Sequence, residues 1–332
     1  MKRLHFALSS KPALAIAISF ASLYAVGHLF AETPVLTADK PIVIPDSHGK
    51  FDFIEVDQQA GRLLAAHTGN ATLDIFDSAT GKFIKSVQTG VDQDAAVDSK
   101  GGKYHVAVSA GKKLVTVDST TFEVTGETPL TGPADILAFD PKNNTAYIGH
   151  DDSTEVWAVD VIAKKIVATI TIPEGPEGII YDEVSDRVYA NSKIGDAVVV
   201  IDPATNKPVA TWPTAPAQKP HGSALDAEGH RLFVVGANGK LVAIDLKSGK
   251  VTGSVDIAPR VDEIAFDPGL KRVYCASGAG VLSVVDAKDE SLKSLGDVPT
   301  HEGTHSVAVD AKTHAVWIAF AEGNQSFIQR LK

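Results

Sequence analysis

Short apolar runs rich in Val, Ile and Tyr recur from about residue 40 to the end of the chain, each closed by Asp, Asn, Gly or Pro. No long stretch carries the 3.6-residue period of an amphipathic helix, so the pattern predicts strands and turns. The runs repeat in register. An apolar residue followed by Asp occurs at Val56-Asp57, Val97-Asp98, Phe139-Asp140, Tyr181-Asp182, Leu225-Asp226, Phe266-Asp267 and Val309-Asp310, at intervals of 41 to 44 residues. Five positions after the Asp a base stands in five units (Arg62, Lys103, Arg187, Arg231, Arg272). Two positions further an aromatic stands in five (Tyr147, Tyr189, Phe233, Tyr274, Trp317). A second Asp follows at Asp77, Asp118, Asp160, Asp202, Asp245 and Asp286. Both Asp sets read as turn formers that accept hydrogen bonds from nearby backbone.

Each unit holds four strand signals. In the fourth they are Gly178–Tyr181, Arg187–Ala190, Ala197–Ile201 and Pro208–Thr211. Four strands in each of seven repeats predict an all-β chain folded as a seven-bladed β-propeller. The seventh unit ends after its third strand, near Ser326–Gln329, while an orphan strand signal, Lys40–Pro45, precedes the first unit. The N-terminal strand is therefore expected to close the last blade and remove its free edge.

Segments such as Arg187-Val188-Tyr189-Ala190-Asn191 and Val199-Val200-Ile201-Asp202-Pro203-Ala204-Thr205-Asn206-Lys207 resemble the YVTN-repeat propellers, over about residues 40–332. The resemblance implies the seven-bladed fold and a bacterial periplasmic or surface-layer setting. Related seven-bladed propellers include lactonases and the cofactor-binding domain of a haem-dependent nitrite reductase, so fold does not select a chemistry.

The first 31 residues change the picture of where the protein works. Lys2, Arg3 and Lys11 precede the uncharged run Ala13–Val26, followed by Leu29-Phe30-Ala31. This is the layout of a signal peptide, with cleavage expected after Ala31 and residues 32–332 forming one propeller domain in the periplasm or outside the cell. Cleavage removes three positive charges and moves the formal net charge from −10 to −13. Such a chain repels phosphate backbones, so nucleic acid is not an expected partner. No membrane span is expected after cleavage, and a monomer is expected. The single cysteine, Cys275, excludes disulfides and Cys-based zinc sites.

Propellers bind ligands where the innermost strands open at the channel mouth. Five residues before the first Asp of each unit stand Asp52, Gln93, Asp135, Glu177, His221, Asp262 and His305. A ring of carboxylates and imidazoles is a candidate site for a small ligand or a divalent metal ion. Asp94, Glu263, Gly178 and Gly222 sit one step further and either share the rim or face the blade. His301-Glu302-Gly303-Thr304-His305 matches H-E-x-x-H, but it contains a glycine and runs straight into a strand, where a zinc-protease helix is impossible. Its imidazoles, with His48, could still join His221 and Glu177 as metal ligands from loops.

The sequence contains no G-x-S-x-G elbow or other compact nucleophile set. The leading reading is a non-enzymatic binding or interaction protein. One alternative is a metal-assisted lactonase or lyase using Glu177, His221, Asp262 and His305. A further alternative is a haem-type propeller with His221 or His305 as axial ligand.

Overall fold

A computed structural model describes Met1 and residues 35–332, apart from residues 99, 151, 152 and 174 and the side chains of residues 95–98. The expected signal peptide lies outside the described residues. The remainder forms seven four-stranded antiparallel sheets. The first strands of the blades (Ile54–Asp57, Gln93–Asp98, Ala134–Asp140, Pro176–Asp182, Pro220–Asp226, Val261–Asp267 and Ser306–Asp310) each touch the next, and the last touches the first. The result is a closed seven-bladed β-propeller around a central channel.

Burial follows position in the blade. In blade 4 the second and third strands, Arg187–Ser192 and Ala197–Asp202, are buried almost throughout, because neighbouring blades cover both faces. Such strands read as continuous apolar runs. The outermost strand Lys250–Asp256 of blade 5 instead alternates exposed and half-buried residues along its length. Apolar and polar residues therefore alternate only where one face is wet.

The repeated aromatics fill the spaces between blades, and their polar ends tie blades together. Trp317 is fully buried and its indole N–H donates to the Ser78 carbonyl of blade 1 at 2.8 Å. Tyr147 of blade 3 donates to Asn206 Oδ1 of blade 4 at 2.8 Å. Tyr104, outside the repeated set, likewise donates to Asp57 Oδ2 at 3.0 Å and links blades 2 and 1. A buried ring with a satisfied polar tip gives both packing and register. The repeated Asp residues act as turn formers: Asp57 Oδ1 accepts from the amides of Gln59 and Ala60, and Asp267 Oδ1 from those of Gly269 and Leu270.

Blade 7 is made from both ends of the propeller. Ser306–Asp310, Ala315–Glu322 and Gln325–Leu331 supply three strands, and Ile42–Val43 pairs with Ile328 and Phe327 as the fourth. The seam continues upstream, where Thr37 and Lys332 exchange backbone hydrogen bonds of 2.8 and 2.9 Å. The Asp39 carboxylate lies 2.7 Å from Arg330 and 3.1 Å from Lys332.

Beside this seam Asp74, His67 and Ser326 form a chain, with 2.7 Å from Asp74 Oδ2 to His67 Nδ1 and 3.0 Å from His67 Nε2 to Ser326 Oγ. The order resembles a catalytic relay. All three residues are fully buried, the ring stacks on Phe51 at 4.0 Å, and the serine donates to the Gly49 carbonyl. With no route for a substrate, the chain joins blade 1 to blade 7.

Candidate functional site at the channel mouth

The innermost strands all run the same way through the channel, starting at one mouth and ending in the Asp turns at the other. Asp135, Glu177, His221 and Asp262 are each the second residue of their strand. His305 immediately precedes its strand, and Asp52 stands two residues before its own. The fold thus gathers residues from distant repeats onto one rim. A polar cavity of about 160 Å³ opens there, lined by Asp52, Asp94, Asp135, Glu177, Asp262 and Glu263 together with Phe53 and Ile136.

Gln93 is not on this rim. It is fully buried, accepting from Thr89 Oγ1 at 2.8 Å and donating to the His67 carbonyl at 3.3 Å. The pairing register explains the difference. Gln93 pairs with the last residue of the second strand, as Ala134, Pro176, Pro220 and Val261 do in their blades. Its neighbour Asp94 is therefore the counterpart of Asp135. Asp98 pairs with Tyr104 as Phe139 does with Ala146, so the Asp of blade 2 falls one position early in the register and a count back from it lands one position early.

Two glycines set how closely the inner strands approach. A Cβ on Gly178 would lie 2.5 Å from the His221 carbonyl oxygen, and one on Gly222 would lie 2.4 Å from that of Asp262. Any side chain at either position would push adjacent rim residues apart. Asn191, buried in blade 4, donates its amide to the His221 carbonyl and to Ser223 Oγ, and so positions His221. The Glu263 amide donates to the His305 carbonyl at 3.1 Å, and Ser306 Oγ to the Asp52 carbonyl at 2.6 Å.

The rim is electrically lopsided. Across blades 4 to 7 runs a chain of alternating charge. Lys193 Nζ lies 2.7 Å from Glu177 Oε1, and Glu177 Oε2 lies 3.2 Å from His221 Nδ1. His221 Nδ1 is also 3.2 Å from Asp262 Oδ1, while Asp262 Oδ2 is 3.2 Å from His305 Nδ1. Burial opposes protonation of His221, but Asp262 and Glu177 outweigh it and hold the imidazole up at about 9. Burial likewise opposes protonation of His305, and Asp262 raises it nonetheless. Asp262 resists the upward push of burial and, set between two imidazoles, is held well below the usual carboxylate range. Blades 1 to 3 contribute Asp52, Asp94 and Asp135 and no histidine. Burial raises Asp52, with Asp262 adding to the effect. Glu263, one step deeper in the channel, is pushed well above its ordinary value by burial and by the carboxylates of Asp262, Asp52, Asp135 and Glu177.

The remaining sequence candidates stand apart from this chain. His48 is exposed and contributes its carbonyl, 3.1 Å from His67 Nε2. His301 stacks on Phe320 with ring centroids 3.6 Å apart. The H-E-x-x-H segment is a turn and a loop, as its glycine dictates. Among the described residues no group of three or more His, Cys, Asp or Glu side chains converges so as to hold a metal ion. Cys275 is buried, and burial pushes its thiol up and away from reactivity. Lys193 was not evident in the sequence; its signal is its place just after the second strand of blade 4, on the mouth side.

No known protein-family profile matches the chain. It is 28% identical over 188 residues to the uncharacterized protein YncE of Salmonella typhimurium, a match covering 54% of this chain and 52% of that protein. YncE of Salmonella typhi is 27% identical over the same lengths. The chain thus matches about half the length of these curated relatives. Among solved structures it is similar to a chain of the mitotic checkpoint complex, with a TM-score of 0.75, 13% identity, and coverage of 97% of this chain and 99% of that one. A chain of Kuenenia stuttgartiensis hydrazine synthase superposes with a TM-score of 0.72 and 16% identity over 87% of this chain and 99% of its own. At those identities the likeness is one of fold. Among the described residues no helix is long and apolar enough to cross a membrane. The chain is a seven-bladed β-propeller with homologues among the uncharacterized YncE proteins.

Proposed function

We propose that the protein is an exported binding protein whose channel mouth takes a small organic cation carrying primary ammonium groups. The observation that carries this reading is the polar cavity of about 160 Å³ with six carboxylates on its wall. That volume lies below the roughly 300–1,000 Å³ of sites for drug-sized ligands, so it suits a ligand of a few heavy atoms and leaves no room for a macrocycle. Asp52, Asp94 and Asp135 form an acidic arc on blades 1 to 3, where the rim carries no histidine. Cation binding also offsets the burial and the neighbouring carboxylate charge that raise Asp52 and Glu263.

Calorimetric titration with 1,4-diaminobutane tests the site. Saturable binding is expected, weakening as salt rises and as pH falls into the carboxylate range, and dropping about tenfold in Asp135→Asn through loss of one charge-assisted contact. Absence of saturable binding, or equal binding by Asp135→Asn, overturns the reading. Binding of Ca²⁺ in place of the diamine overturns it in favour of a metal site. The basic-then-apolar pattern of residues 1–31 supports export. Intact mass of the protein recovered from outside the cytoplasm is expected to lack those residues, and a full-length mass there counts against cleavage.

A further inference from the structure

A second cavity lies far from the mouth, between the turns of blades 2 and 3 at the opposite end of the inner strands. Its volume is about 470 Å³, within the range of small-molecule sites. Phe139, Pro141 and Ile162 of blade 3 form its apolar wall, and Gly126 of blade 2 leaves the facing side open. Three lysines, Lys100, Lys103 and Lys164, line the opening. This is a cationic entrance on a chain whose net charge is −10.

Two of those lysines are committed to neighbours: Lys100 to Glu183, and Lys103 to Asp118 at 2.7 Å. Lys164 has no ion-pair partner among the described residues. Its ammonium lies over Gly126, 2.7 Å from where a Cβ would stand. Inside the cleft, His105 is only 2% exposed and its ring packs on Phe139, with centroids 4.8 Å apart. Its Nδ1 is 3.1 Å from Thr116 Oγ1. Its Nε2 has no hydrogen-bond partner among the described residues. Burial, with Lys103 nearby, pushes this imidazole down to about 4, so it is neutral at physiological pH. A ring nitrogen without a protein partner on the wall of a roomy cleft is open to water or to a ligand.

We propose that the cleft between blades 2 and 3 binds a small aromatic carboxylate, its ring against Phe139 and its carboxylate on Lys164. The apolar wall and aromatic floor favour the ring. The unpaired lysine selects the anion, since the other two cations of the rim are already neutralised by carboxylates. The Gly126 position has no positive φ, so a side chain there fits the strand and meets the flexible end of Lys164 at the cleft opening.

Phenylacetate and its uncharged analogue phenylacetamide are the probes, titrated calorimetrically against the full chain. Phenylacetate is expected to bind saturably and phenylacetamide about tenfold or more weakly, the difference that loss of a charge-assisted hydrogen bond produces. Lys164→Gln should erase most of that preference. Gly126→Val should abolish binding of both probes without lowering the melting temperature, while Asp135→Asn at the channel mouth should leave both unchanged. Equal affinities for the two probes, or phenylacetate binding that survives Gly126→Val, overturn the proposal. No saturable binding of phenylacetate overturns it outright.

Discussion

The repeat supplies carboxylates to two regions, and they are treated in opposite ways. At the turn end of the inner strands, Asp57, Asp140, Asp182, Asp226, Asp267 and Asp310 are nearly sealed from solvent, and each accepts hydrogen bonds from amides two or three residues on. At the mouth end, Glu177 and Asp262 are held by side chains rather than by local amides, His221 and His305 coming from other blades. Local satisfaction makes a residue part of the fold. Satisfaction across blades builds a surface whose charges depend on one another. The difference separates scaffold from site without reference to any bound molecule.

The comparison breaks most sharply at Asp226. Its carboxylate is 2% exposed and lies 2.8 Å from Arg231 and 3.3 Å from Lys271. Asp226→Ala leaves the largely buried guanidinium without its charge partner and is expected to lower unfolding free energy by about 3 kcal/mol, as breaking one side of a buried ion pair does. Urea denaturation measures it, and a loss below about 1 kcal/mol would move this carboxylate out of the scaffold class. Burial raises Asp226, but Arg231, the Gly229 amide and Lys271 together outweigh it and the net shift is downward. Its stabilisation is therefore present above the unfolded carboxylate value and lost as pH falls through the folded one.

The mouth has an alkaline limit instead, and a smaller cost. His221 is raised to about 9, so its contribution is complete below the unfolded imidazole value of roughly 6.5 and disappears as pH rises toward 9. Asp262→Asn removes the group shared by both imidazoles. The NMR titration midpoint of His221 is expected to fall from about 9 toward that unfolded value, with stability changed by less than in Asp226→Ala because the rim is partly solvated. An unchanged midpoint would mean that Glu177 alone holds His221.

The fold was legible because every blade repeats one solution to one packing problem. The alternation of exposed and half-buried residues in Lys250–Asp256 and the unbroken apolar run Ala197–Ile201 follow from whether a neighbour covers both faces. The orphan strand at Lys40–Pro45 was legible for the same reason, as a missing part of the count. The rim was legible only where the Asp of the repeat kept its place in the pairing register. Blade 2 places Asp98 one position early in the pairing register, so Asp94 stands on the rim and Gln93 is buried, and hydropathy carries no mark of that shift. Pairings such as Lys193 with Glu177, or the position of His105 beside Phe139, join residues 16 and 34 apart in sequence. They belong to geometry that a periodic pattern cannot encode.

The seam in blade 7 also governs the order of events during folding. Asp39 and Gln329 meet across 290 residues of chain, so this contact must await the blades between them. Until residues 37–44 dock, the strand Gln325–Leu331 has an open edge, the kind that pairs with another chain. The same few residues that complete the ring therefore determine how long a newly made molecule remains prone to aggregation.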